Sequence, residues 1–227
     1  MNILNTLAFL IFPYLALTTF VVGHLYRYLT NPYDWNSKSS ELLDKESLKI
    51  GITIFHWGVI LTLIGHAGGL LIPQSLFDEV GIDSQAHTKI ALLTGFIVGA
   101  AALLGLVLLI WRRITKDRVL ATTTLNDFVT LGLLLFVITT GLTNVVYGFF
   151  EHFDVLHSIA PWIRGIVTLT PDPTLMVKVP VRYKVHILSA VALIGFSPFS
   201  RLVHIWSVPL TYLVRRLIIF RRREASF

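Results

Sequence analysis

The stretch IGITIFHWGVILTLIGHAGGLLI, residues 50–72, holds no Asp, Glu, Lys or Arg in twenty-three positions, yet it carries two histidines, His56 and His66. At a helical rise of about 1.5 Å per residue, about twenty such residues cross the roughly 30 Å hydrocarbon core of a bilayer, so the stretch predicts a transmembrane helix. Ionisable side chains are costly inside hydrocarbon and ask for a partner or a function. A second apolar stretch, residues 183–207, answers with His186 and His204, eighteen positions apart. Two histidines in each of two spans call for one shared explanation, and axial ligation of two non-covalent b-type haems supplies it.

Working outward, three more windows of similar length and hydropathy appear, giving spans at about 3–26, 48–72, 87–111, 127–150 and 183–207. The chain of 227 residues is 54% hydrophobic and only 14% charged, with a mean hydropathy of +0.72. Too few charges remain for a water-facing globular surface. The expected fold class is therefore an all-α membrane protein of five transmembrane helices, residues 1–227 forming one domain. The opening MNILNTLAFLIF has no basic start and no small-residue cleavage site follows it, so it is expected to stay as the first span. There is no cysteine, which removes disulfides, thiolate-held iron–sulfur or zinc sites and covalent c-type haem attachment.

Lys and Arg collect in loops on the cytoplasmic side of a membrane. Segments 27–49, 112–118 and 201–223 hold fourteen of the nineteen, leaving Lys89, Arg164, Lys178, Arg182 and Lys184 elsewhere. This predicts the N-terminus outside, the C-terminus inside, and a multi-pass protein of the cell's inner membrane. The net charge of +6 sits beside the spans, so it reads as topology signal and lipid-headgroup contact rather than nucleic-acid binding.

With that orientation, depth pairs His56 with His204 near the inner face and His66 with His186 near the outer face. Averaging the two spacings puts the irons on the order of 20 Å apart along the membrane normal. Eighteen helical steps return to one face, but ten leave His56 and His66 about 80° out of line. Pro198, between His186 and His204, is expected to kink its helix and absorb part of that mismatch. Gly58, Gly65, Gly68 and Gly69 would admit a flat macrocycle or serve close helix packing equally well. His24, His87, His152 and His157 lie near span ends or in loops, where a solvated or interfacial place is the ordinary expectation.

Three motifs, from Phe55-His56-Trp57-Gly58 through Gly65-His66, Arg118-Val119-Leu120-Ala121-Thr122-Thr123-Thr124, and Phe196-Ser197-Pro198-Phe199-Ser200-Arg201-Leu202-Val203-His204-Ile205-Trp206-Ser207-Val208-Pro209, closely resemble the gamma subunit of respiratory nitrate reductase. The resemblance covers nearly the whole chain. It implies a five-helix dihaem cytochrome b that oxidises quinol near the outer haem and passes electrons inward to an iron–sulfur beta subunit, with nitrate reduced at a molybdenum-containing alpha subunit. The four span histidines fall on the family's ligand positions. The quinol pocket it implies involves Gly65, His66 and a lysine opening the third helix; here His87 stands nearest that place and Lys89 two residues on. Histidine accepts a proton near neutral pH more readily than lysine does.

Arg112, Arg113 and Arg201 are candidate propionate contacts for the inner haem, and Lys184, where the family tends to have arginine, for the outer one. Positive-inside anchoring accounts for the same residues. The basic tail 210–223, with Arg215, Arg216, Arg221, Arg222 and Arg223, reads as an interfacial helix, and with segment 27–49 it forms the expected docking surface for the beta subunit. Loop 151–182, with Pro161-Trp162 and Pro171-Asp172-Pro173, reads as a short interfacial helix and turn over the quinol entrance. Two other readings stay open: the membrane anchor of a different quinone-linked reductase, of the heterodisulfide or sulfite-reduction type, and a proton-coupled transporter. Against the transporter stand the lack of an internal repeat and of a buried carboxylate pair.

Overall fold

The computed structural model describes residues 3–31, 40, 44 and 46–206, and among these every regular element is helical. Six helices matter here. Helix α1 spans Ile3–Thr30 and α2 spans Glu46–His66, the latter continuing through a wide π-type turn at Ala67–Leu71. Helices α3 (Ser84–Thr115) and α4 (Leu125–Gly148) follow, then the short α5 (Ile159–Val167) and finally α6 (Val181–Phe196). Among the described residues four helices, α1 to α4, are long and apolar enough to cross a membrane. The bundle is a chain of neighbours in which α2 packs on α3, α3 on α4, α4 on α6 and α6 on α1.

The fifth expected span departs from the sequence reading. It is α-helical only over sixteen residues, Val181–Phe196, followed by a 3-10 turn at Ser197–Phe199, an extended residue at Ser200 and a second 3-10 segment at Arg201–Trp206. Pro198 has no N–H to donate and cannot continue the ladder. Both the backbone N–H and the hydroxyl of Ser197 donate to Ile194 O, the hydroxyl at 2.7 Å, closing the helix. The expected kink is thus a full break, and the argument that eighteen helical steps bring His186 and His204 to one face does not hold across it. The tail 210–223, for which an interfacial helix was expected, lies outside the described residues, as does most of the docking segment 27–49.

Small residues bring the long helices together. A Cβ added at Gly58 would come within 2.5 Å of the Ala102 backbone nitrogen, and one at Gly105 would collide with the Phe55 backbone, so α2 and α3 cross almost backbone to backbone. Gly58 therefore serves packing. Gly65 and Gly68, by contrast, meet nothing within 4 Å.

At the N-terminal end of the bundle, Pro13 cannot donate to the carbonyl of Phe9 four residues earlier. The chain widens there into a π-type turn at Leu7–Ile11, and the Phe9 carbonyl accepts from Trp162 Nε1 at 2.9 Å. Ile159, Trp162 and Ile166 recur at helical spacing along α5 and pack with Phe9, Met176 and Val179 into the one sizeable buried apolar cluster among the described residues. Loop 151–182 thus contains the expected short helix, and a 3-10 turn at Pro173–Met176 capped by Asp172.

Candidate functional site

His56 and His66 lie on α2, His186 on α6 and His204 on the segment beyond the break. Although α2 and α6 are not packed neighbours, their histidines meet in two pairs. The rings of His66 and His186 have centroids 6.3 Å apart at the N-terminal end. Those of His56 and His204 are 6.1 Å apart at the far end. The depth argument gave these same two pairings.

Each ring is oriented by a carbonyl. His56 Nδ1 donates to Ile52 O at 2.8 Å and His66 Nδ1 to Thr62 O at 2.8 Å, each to its own preceding turn. His204 Nδ1 donates to Arg201 O at 2.6 Å. His186 Nδ1 reaches across to α4, sharing its proton between Val137 O at 3.1 Å and Thr140 Oγ1 at 3.3 Å. A carbonyl can only accept, so all four Nδ1 atoms carry hydrogen and the lone pair of each ring lies on Nε2, the nitrogen that could bind a metal. An imidazole nitrogen bonds a first-row metal at about 2.0 Å, which puts the centroids of two trans imidazoles about 6.3 Å apart. Both pairs match that span. No cluster of three or more His, Cys, Asp or Glu side chains exists among the described residues, so a metal held by either pair would need its remaining ligands from elsewhere.

Gly141 on α4 explains how His186 gets so close. A Cβ there would sit 2.8 Å from the ring's Cε1, so only glycine leaves room for the imidazole. One turn further out, Asn144 Nδ2 donates to Arg182 O at 3.4 Å, while Asn144 Oδ1 and Arg182 Nε are buried with no hydrogen-bond partner. Arg182 itself lies between the rings of Tyr147 and Tyr183 and pairs with Glu151 at 2.6 Å. Sequence reading missed Thr140, Gly141 and Asn144; a polar residue and a glycine on one face of an apolar span were the available signal.

His87 and Lys89 separate cleanly. Two steps along α3 turn the helix by about 200°, and His87 is 7% exposed while Lys89 is exposed. The expectation that His87 is solvated or interfacial is therefore corrected, and so is that for His24, which is 8% exposed and stacked on Phe20; His157 is exposed and pairs with Asp154. Gln74 gives both its N–H groups away, to Asp78 and Ile82 O, which turns its Oε1 to His87 Nδ1 at 2.7 Å. The His87 proton thus sits on Nδ1. Its free Nε2 lies 3.6 Å from where a Cβ on Gly69 would stand, in the turn that follows His66. Arg164 of α5 donates to Leu70 O of the same turn at 3.1 Å.

The four candidate propionate contacts all have protein partners. Arg112 is 4% exposed and holds Ser40 and Asp44 through three hydrogen bonds and an ion pair. Arg113 donates to Thr123 Oγ1 at 3.0 Å and lies 3.8 Å from Asp127. Arg201 forms a two-pronged pair with Asp127. Lys184 donates to Val177 O at 3.2 Å and points toward Phe9. Asp127, 4% exposed within an apolar window, is the charged residue that sequence reading did not assign.

Fold and site together define a polytopic helical membrane protein with two stacked pairs of facing histidines. Residues 5–223 match the family described as "Nitrate reductase gamma subunit", and the chain belongs to that family. It is 40% identical to the nitrate reductase gamma chain of Bacillus subtilis over 94% of this chain and 96% of that one. Its identity to the respiratory nitrate reductase 1 gamma chain of Escherichia coli is 33%, over 99% and 100%. It is also 35% identical to the nitrate reductase-like protein NarX of Mycobacterium tuberculosis, over 98% of this chain but only 35% of that longer protein.

Proposed function

We propose that this chain is the dihaem, quinol-oxidising membrane anchor of a respiratory nitrate reductase. The observation that carries the proposal is the pair of 6.1 and 6.3 Å ring separations, with the lone pair of each ring on Nε2. His56 and His204 would hold one b-type haem and His66 and His186 the other. When bound, these groups supply one-electron transfer across the bilayer. The excess of Lys and Arg in segments 27–49, 112–118 and 201–223 supports an inner-membrane topology with the His66–His186 pair outside. The partners on the inner side would be an iron–sulfur beta subunit and a molybdenum-containing alpha subunit; the name gamma chain, borne by the relatives, supports association with further subunits.

Quinol oxidation releases two protons and two electrons. The Nε2 of His87, fixed as an acceptor by Gln74, faces the glycine turn after His66 and takes a hydrogen bond and then a proton from a quinol hydroxyl. Gly65 and Gly68 leave open space beside His66 for the quinol ring. Lys89, exposed on the opposite face of α3, suits lipid-headgroup contact. Arg164 fixes the turn from above, and α5 covers this end of the bundle.

Two measurements test the proposal. The purified chain, expressed with sufficient haem, should show reduced low-spin b-type bands from two haems per chain; a protein without them sinks the reading. His87→Ala should slow quinol-driven haem reduction by roughly a hundred-fold or more, the lower range for a lost general base, with haem content intact. Unchanged rates would remove His87 from the quinol site.

A further inference from the structure

The far-end pair contains a ligand that no continuous helix holds. His204 follows the break at Phe196, on a short 3-10 segment, and three side chains from other helices fasten that break. Arg27 of α1 donates to Pro198 O at 2.6 Å and to Ser200 O at 3.0 Å. Asn126 of α4 donates to Phe199 O at 2.8 Å. Asp127 grips Arg201 through both carboxylate oxygens, and the carbonyl of Arg201 is the acceptor that orients His204.

We infer that Asp127 is a positioning residue for the His56–His204 haem, acting on the imidazole of His204 through Arg201; this rests on the haem reading above. Asp127 is itself immobilised. It closes a reciprocal cap with Thr124, its Oδ2 accepting from the Thr124 N–H at 2.9 Å while Thr124 Oγ1 accepts from the Asp127 N–H at 3.3 Å. That cap anchors the carboxylate to the first turn of a 24-residue helix. The rigid α4 thereby fixes a segment that lacks its own helical ladder. Buried carboxylate–guanidinium forks combine directional geometry with strength, because two parallel charge-assisted bonds set both angle and distance. The carboxylate also places a negative charge next to one haem site alone. Breaking the fork both loosens the His204 carbonyl partner and removes that charge, and removal of negative charge favours the ferrous state.

The inference predicts a site-selective effect. In Asp127→Asn, potentiometric titration of the full chain should show the far-end haem shifted to higher midpoint potential, with its low-spin electron paramagnetic resonance signal displaced. The other haem should keep both values. The component missing from His204→Ala identifies the far-end haem. Loss of the far-end haem alone in Asp127→Asn would also support the inference, whereas two unchanged haems or two equally shifted ones would overturn it. If Asp127→Asn fails to fold, Arg201→Lys decides, since it keeps the charge and the main-chain carbonyl but loses the fork: a displaced far-end signal supports the positioning role and an unaltered one refutes it. A wild-type chain without two haems would instead defeat the proposed function.

Discussion

The two histidine pairs are built by different means. At the N-terminal end, His66 and His186 stand on regular α-helix, and their ring positions follow from helix carbonyls, Thr140 and the absence of a side chain at Gly141. At the far end, His56 stands on regular helix but His204 sits beyond a break, and charged or amide side chains of α1 and α4 hold its segment. One pair is set by regular helix backbone and close packing at Gly141, the other by side-chain ties from distant helices. Within a membrane the second arrangement is the more exposed to single substitutions, because each tie is one side chain deep.

The largest effect should come from a change that ignores this difference. Gly58→Leu drives a side chain into the Ala102 backbone, where neither helix can yield, and should cost about 3 kcal/mol or more. Since α2 supplies a histidine to each pair, the signals of both proposed haems should fall together; loss of only one would show the pairs to be independent of the α2–α3 contact. A more selective break is Gly141→Ala, whose Cβ meets the His186 ring at 2.8 Å. Overpacking of about 1–3 kcal/mol at that point should diminish the haem proposed for His66 and His186 in the optical spectrum and leave the other. Gly132→Ala on the same helix, with nothing within 4 Å, should leave both spectra unchanged and raise thermal stability by about 0.5–1 kcal/mol through helix propensity. Equal spectra for these two variants would remove the steric account of the N-terminal pair.

The smallest effect on the histidine pairs should come from a change outside both of them. Leu169 closes α5 with φ of 61°, a left-handed conformation in which an L side chain is strained, and Thr170 N–H reaches back to Gly165 O at 2.8 Å. Leu169→Gly should raise thermal stability by about 1 kcal/mol and leave both haem spectra unchanged. A fall in stability would mean that the exposed leucine contributes more through its surroundings than its backbone costs.

Much of this architecture can be read from the residues. Charge-free windows mark the spans because uncompensated charge is excluded from hydrocarbon, and the four span histidines stand out for the same reason. Their pairing follows from depth alone. Other features depend on contacts between distant parts of the chain. The length of the break after Phe196 is set by Arg27 and Asn126 as well as by Pro198, and no local pattern near Pro198 contains them. The partners of Arg112 and Arg201 are likewise remote, so a count of basic residues could not separate structural arginines from anchoring ones. The Thr124-Leu125-Asn126-Asp127 signature of a helix start was legible, and it places the start of α4 at Leu125 rather than at Asp127. The difference between His87 and Lys89 was also within reach, since two residues apart on a helix are nearly opposite.

The hydrogen bond from Trp162 to the Phe9 carbonyl joins residues 153 positions apart. Pro13 leaves that carbonyl without its usual donor, so the first helix to be synthesised carries an unfinished turn that only a much later segment completes. Biogenesis therefore has a built-in order: the cap over the His66–His186 end locks in place only after the four long helices and α5 have been made. A ribosome-bound chain truncated before residue 159 should have a more accessible Phe9 turn than the finished protein, readable as faster proteolysis within residues 3–14. Pro13 acts, in this sense, as a checkpoint on synthesis as far as α5.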